Sequence, residues 1–274
     1  MSGHILEHLS RADPVLGGLI RAVGPCRLAT EPDCHPFQTL ARAIAHQQLN
    51  GTAANTILKR LVDSCGAGVF PTPEQVLAAS VESLRAAGFS LAKVAALRDL
   101  AEKTVGTVVP DAATLLQLTD AEIITRLTQV RGIGRWTVEM LLVFQLGRPD
   151  VLPVDDFGVR SGFQAAYGLG RLPRPQALAL WGERWKPYRT TAAWYLWRAL
   201  ELKRAGTLPL PAERIRLPRI RRRRRSARRA AAPGVRRRTV RAGGTSSAPP
   251  RRADARKRSR PRRTRRSRAP GSRR

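Results

Sequence analysis

Apolar residues recur at Ile123, Ile124, Leu127 and Val130, the three- and four-residue spacing of one helix face, with Thr119 ahead of them and Glu122 three residues on as a capping-box pair. Arg131-Gly132-Ile133-Gly134 breaks that pattern. It resumes from Arg135 through Val138, Leu141, Leu142 and Leu146, and ends at Gly147 with Pro149 beyond, as helix ends do. The spacing predicts a helix-hairpin-helix. Val151 to Val154 is a short apolar run that Pro153 holds extended, because the residue before a proline is pushed out of the helical region. Asp155-Asp156 then precede a second stripe of Phe157, Val159, Phe163 and Ala166. Helical patterns separated by short Gly/Pro breaks continue to about Arg204, enough for one all-α unit of two helical lobes with a cleft between them. Residues 1–33 contain Pro14, Pro25 and Pro32 and read as a short helix and an irregular lead-in packed on that core, with no separate N-terminal β domain.

Two glycines around one apolar residue let the backbone turn sharply and aim successive amides outward at the start of the next helix, where the dipole also favours an anion. A DNA phosphate fits there. Glycine turns join helices in many folds, so this signal alone is weak. The aspartate pair has two readings: a carboxylate at a helix start is often only a cap, and one aspartate can cap while the other faces a cleft.

Charge divides the chain near residue 205. Residues 1–205 carry 23 Lys+Arg against 18 Asp+Glu, and residues 206–274 carry 27 against 2, so the extension supplies most of the formal +30. Rich in Arg, Pro, Ser and Gly and nearly free of large apolar residues after Ile220, this tail is expected to be disordered. It could hold phosphate backbones nonspecifically by counterion release, or be a dispensable extension. No stretch is long and apolar enough for a membrane span, and Met1 to Ser10 lacks a signal-peptide core, so an intracellular protein is expected. Cys26, Cys34 and Cys65 form no close CxxC pair and read as scattered thiols, while His4, His8, His35 and His46 are too dispersed to suggest a zinc site.

The runs VRGIGRWT and VLPVDDFGVR resemble the hairpin and catalytic-aspartate segments of the helix-hairpin-helix (HhH-GPD) DNA glycosylase superfamily, most closely its 3-methyladenine DNA glycosylase II branch. Three further blocks agree in order: His35 to Leu61, Phe70 to Ala101, and Glu183 to Leu202. The resemblance implies a glycosylase domain over residues 34–205, between the lead-in and the tail of 206–274. It implies that Asp156 is the catalytic carboxylate and Asp155 a capping or orienting residue. A fixed anion suits the chemistry, since breaking an N-glycosidic bond builds oxocarbenium-like charge on the sugar, and the same group can activate water. Bifunctional members carry a Schiff-base lysine where this chain has Trp136, so the resemblance implies a monofunctional N-glycosyl hydrolase that releases alkylated purines and leaves an abasic site. By the same resemblance Trp136 and Trp197 line the base pocket; Trp181, Trp185 and Trp194 read as core. Gly132, Ile133, Gly134, Arg135 and Thr137 contact DNA, and Gln48 and Leu49 form the wedge that fills the hole left by an extruded base, with packing under the loop as the alternative for Leu49. No cofactor is required. Three cysteines cannot build the four-cysteine iron–sulfur cluster of some members, and a monovalent cation could bind the carbonyls of Thr128, Val130 and Ile133. The expected partner is double-stranded DNA containing damaged bases, met by a monomer in the cytoplasm on the nucleoid, or in the nucleus of a eukaryote. Alternatives are a glycosylase for deaminated or mismatched bases and a non-catalytic DNA-binding module.

Overall fold

The computed structural model describes residues 3–31, 34–209 and 217. The chain divides into two units, Met1–Arg222 and Arg223–Arg274, and the second, with most of the expected disordered tail, lies outside the described residues.

The described chain is helical: α1 (Gly3–Ala12), α2 (Pro14–Val23), α3 (Pro36–His46), α4 (Gly51–Cys65), α5 (Pro73–Ala78), α6 (Val81–Ala86), α7 (Leu91–Val105), α8 (Ala112–Gln117), α9 (Asp120–Leu127), α10 (Arg135–Phe144), α11 (Phe157–Ala166), α12 (Pro175–Gly182), a 3₁₀ turn (Glu183–Trp185) and α13 (Arg189–Arg204). Among the described residues there is no strand, and no helix is long and apolar enough to cross a membrane.

Local chemistry explains most of the boundaries. Asn50, Ser80, Ser90 and Asp111 each accept a backbone N–H three residues on, and Thr72 with Gln75 and Thr119 with Glu122 make full capping boxes. Each such cap is worth about 1 kcal/mol. Cationic side chains close several opposite ends: Lys93 donates to Ala45 O at 2.8 Å, Arg98 to Ala79 O at 2.9 Å, and Arg148 to Leu118 O at 2.7 Å. That matters for α5, α6 and α8, which have six residues each and are too short to persist without tertiary packing. Each inserts one buried side chain into the core: Val76, Leu84 and Leu115.

Two apolar cores form two lobes. The first is built by α3 to α10, with Phe37, Leu40, Leu97, Ile123 and Leu142 at its centre. The second joins Leu9 and Leu16 of α1 and α2 to Val159 and Phe163 of α11 and to Trp185, Tyr195 and Leu196 further along. Leu28 and Trp197 pack against both. Helices α11 and α13 cross in near contact: a Cβ built on Gly162 would lie 1.8 Å from Leu196 O. Leu208 and Leu217 also pack against the second core.

The lead-in differs from expectation. Instead of one short helix, it contributes two, because Asp13 caps α2 and Pro14 occupies the first helical turn, where a missing N–H costs nothing. Asp13 is 1% exposed, yet its carboxylate is fully engaged. One oxygen accepts from the amides of Val15 and Leu16 at 3.1 and 3.3 Å, and the other from Tyr167 Oη, Trp181 Nε1 and Trp185 Nε1 at 2.6, 3.0 and 3.1 Å. Burial first, and then the Asp13 charge, holds the Tyr167 phenol well above its usual range, so it remains a donor.

Candidate active site

The hairpin between α9 and α10 is braced from two sides. The Arg131 amide donates to Asp99 Oδ2 of α7 at 2.6 Å, and Gln47 Nε2, just past α3, donates to Gly132 O at 2.8 Å. Asp99 also takes Lys103 Nζ at 2.5 Å. Desolvation pushes this carboxyl up, but the Arg131 amide and Lys103 outweigh it, and the net shift is downward. Gly132 sits at φ +78°, which a side chain would strain, and Gly134 caps α10 with no side-chain hydrogen bond. The start of α10 therefore presents backbone amides at the positive end of a helix. Ile133 departs from the role expected of it: its amide is committed to Val130 O at 3.0 Å and its side chain is buried, so it anchors the turn. Thr137 is buried and lines a cavity, whereas Arg135 is exposed at the first turn.

Arg135 Nε bonds Glu139 Oε1 at 2.8 Å. Glu139 is 3% exposed. Burial pushes its carboxyl up, Arg135 opposes this, and Asp155 and Asp156 add to it, so Glu139 feels the charge of the aspartate pair.

The extended segment before that pair is clamped to the start of α13. Arg189 makes a forked ion pair with Asp150, Nε to Oδ1 at 2.7 Å and Nη2 to Oδ2 at 2.9 Å, while Val151 N donates to Thr190 Oγ1 at 2.9 Å. The Asp156 amide then closes a turn on Pro153 O at 3.0 Å. Asp156 itself caps α11, its Oδ1 accepting from Val159 N at 2.7 Å. The cap expected of Asp155 is thus made by Asp156, because Val159 is the third residue of the helix counted from it and carries the amide that the cap must reach. The same Oδ1 accepts from Trp197 Nε1 at 2.9 Å, and Oδ2 accepts from Trp136 Nε1 at 2.7 Å. Three donors from three helices hold one carboxylate, and a carboxylate has about four acceptor positions, so one remains.

Trp136 is 48% exposed and lines a cavity of about 730 Å³ between α3 and α10. Phe144 lines it too and stacks on Trp197, with ring centroids 5.5 Å apart. Trp197, expected in the pocket, is not among the cavity's lining residues: it backs Phe144 and grips Asp156. Gln48 reaches the cavity from a φ of +59°, and Leu49 beside it is 40% exposed. Trp181, Trp185 and Trp194 are buried in the second core. Sequence reasoning missed Phe144, whose spacing fits the buried face of α10, and Gln47 and Asp99, whose partners are 85 and 32 residues away. Among the described residues no group of three His, Cys, Asp or Glu is placed to hold a metal.

The sequence profile of the HhH-GPD superfamily base excision DNA repair proteins matches residues 41–187. The chain belongs to that family. It is 41% identical over 198 residues to DNA-3-methyladenine glycosylase 1 of Schizosaccharomyces pombe, covering 71% of this chain and 86% of the relative. It is also similar to the solved structure of the S. pombe 3-methyladenine DNA glycosylase in complex with abasic DNA (TM-score 0.64, 40% identity, 71% of this chain and 95% of that one). A third similarity is to the DNA-3-methyladenine glycosidase of Bacillus halodurans (TM-score 0.67, 35% identity, 73% and 91%). The HhH-GPD profile covers the hairpin, the clamped extended segment and Asp156, and leaves out α1, α2 and the segment before α3.

Proposed function

We propose that this protein is a monofunctional DNA glycosylase of base excision repair that extrudes alkylated purines of the 3-methyladenine type from duplex DNA and hydrolyses their N-glycosidic bond. The observation that carries this reading is a single carboxylate, Asp156, held by the indoles of Trp136 and Trp197 beside an aromatic-walled cavity. In this reading Gly132, Gly134 and Arg135 grip the phosphate backbone at the start of α10, and Gln48 and Leu49 fill the gap left by the extruded base. The base enters between Trp136 and Phe144, whose ring faces favour a cationic purine. Asp156 stabilises the positive charge that develops on the deoxyribose as the bond to the base breaks, and its remaining acceptor position takes a proton from the attacking water. Trp136 has no amine with which to form a Schiff base. The neutral carbonyls of Thr128, Val130 and Ile133 suit a hard monovalent cation, which would add positive charge beside the bound phosphate. The protein would work on chromosomal DNA in the cytoplasm.

The test is incubation of purified protein with methylated duplex DNA, identification of released bases, and borohydride added to a parallel reaction. We expect 3-methyladenine or 7-methylguanine, strand breakage only after alkali, and no trapped protein–DNA adduct. Release of hypoxanthine or uracil without any methylpurine would move the assignment to deaminated bases, and efficient trapping would overturn the monofunctional mechanism.

Gly158 offers a second check. A Cβ there would lie 2.9 Å from Trp197 Cδ1 and 3.0 Å from both Trp197 Nε1 and Asp156 Oδ1. Gly158→Ala should therefore pry the indole from the carboxylate. Single-turnover base release should slow by roughly ten-fold or more, the scale of misplacing a catalytic group by a fraction of an ångström. An unchanged rate would show that Trp197 does not position Asp156.

A further inference from the structure

The cavity beside Trp136 carries a charge pattern that its place in a DNA-binding protein does not explain. The backbone-gripping surface needs cations, and the described chain is rich in arginine, yet none of the described residues lining this cavity is Lys or Arg. The one acidic residue among them is Glu31.

The backbone of Glu31 is anchored to α10. Its amide donates to Phe144 O at 2.9 Å at the C-terminal end of α10. Gln145 Nε2 bonds Cys34 O, and a Cβ on Gly147 would lie 3.3 Å from Thr30 Cγ2. Gln145 itself lines the cavity, is 2% exposed, and has its Oε1 sealed from solvent without a partner. An unpaired buried carbonyl oxygen adds the negative end of a dipole to the wall, where low dielectric strengthens its field. Carboxylate, unpaired oxygen and the ring faces of Trp136 and Phe144 all favour positive charge. Glu31 also lies outside residues 41–187, the segment that defines the family.

We infer that Glu31 is a specificity residue that selects purines made cationic by alkylation over neutral bases of similar shape. This rests on the glycosylase reading above. Alkylation at N3 or N7 leaves a delocalised positive charge on the purine, whereas undamaged adenine and guanine are neutral and gain nothing from a carboxylate at the wall. The residue acts on the ground-state fit of the base, and Asp156 acts on the sugar.

The experiment compares wild type, Glu31→Gln, which removes the charge and keeps the shape, and Glu31→Lys, which reverses it. Glu31 is exposed, so both should fold. Two quantities are measured under one fixed set of buffer conditions for all three proteins. One is single-turnover release of 7-methylguanine from a defined duplex; the other is affinity for a duplex carrying a tetrahydrofuran abasic analogue, which puts no base in the cavity. Release should fall about ten-fold in Glu31→Gln and further in Glu31→Lys, the scale of one partly screened charge pair, with abasic-analogue affinity held within about two-fold. Release within about two-fold of wild type in both variants overturns the inference, as does a parallel loss of abasic-analogue affinity, which would make Glu31 a DNA-backbone or folding residue. Wild-type protein that releases no methylated purine would instead overturn the alkylpurine reading, and this inference with it.

Discussion

Asp156→Asn should abolish most base release while leaving the fold and the grip on DNA intact. Asparagine caps a helix about as well as aspartate, so the bond from Val159 N to the side-chain oxygen survives and α11 still starts at Phe157. What is lost is the negative charge that the proposed mechanism sets against the sugar. The new NH₂ group also points at Trp136 Nε1, which now donates to Asp156 Oδ2, so two donors oppose each other. Removing one preorganised electrostatic partner of a transition state commonly costs on the order of 10²–10³ in rate, and that is the fall expected in a single-turnover assay with saturating enzyme. Affinity for an abasic-analogue duplex should change by no more than about two-fold. Equal rates for variant and wild type would remove Asp156 from the mechanism. Asp155→Asn is the matched control: because the cap belongs to Asp156, this change should alter neither the cap nor the melting temperature appreciably.

The largest loss of stability should follow Asp13→Ala. The substitution leaves two backbone amides, one phenol and two indoles without their shared acceptor, in a site where the carboxylate was 1% exposed. Breaking a buried charged network from one side costs roughly 3–5 kcal/mol, because the partners stay buried and unpaired. For a folded unit of this size that corresponds to a drop of about 10 °C or more in Tm, measurable by thermal unfolding followed by far-UV circular dichroism. Asp13→Asn should recover only part of it, since an amide cannot accept on both sides. A Tm within about 2 °C of wild type for Asp13→Ala would mean that the tyrosine and tryptophans find other partners.

The hairpin, the capping box of Thr119 with Glu122 and the helical stretches between α3 and α13 were legible in residue order, because the interactions that create them span three or four residues. Thr119 and Glu122 meet through one helical turn wherever the helix goes. Gly132 announces its left-handed turn by lacking a side chain. The aspartate pair was equally visible, but not the division of labour within it. Which carboxylate caps depends on where α11 begins, and that is decided by the Asp150–Arg189 fork and the turn from Pro153, which deliver the chain one residue later than the simplest reading placed it. The second helix of the lead-in escaped the sequence for a related reason: its Asp-Pro start signal is local, but its stability comes from burial, α2 against α11 and α13, and α1 against α2 and the 3₁₀ turn.

By itself, the sequence determined what short-range forces control: an all-α chain, a glycine hairpin that presents amides at the start of α10, and a carboxylate pair at the start of α11. Only the tertiary structure decided what those groups face. Trp136 and Trp197 meet on Asp156 across 20 and 41 residues of chain, and Asp13 gathers Tyr167, Trp181 and Trp185 from 154 to 172 residues away. Glu31 joins the cavity wall only because its amide finds the end of α10. Contacts at such separations leave no periodic trace. They exist because two separate cores form, and burying each core's apolar side chains brings remote polar groups together, where each must find a partner or remain costly.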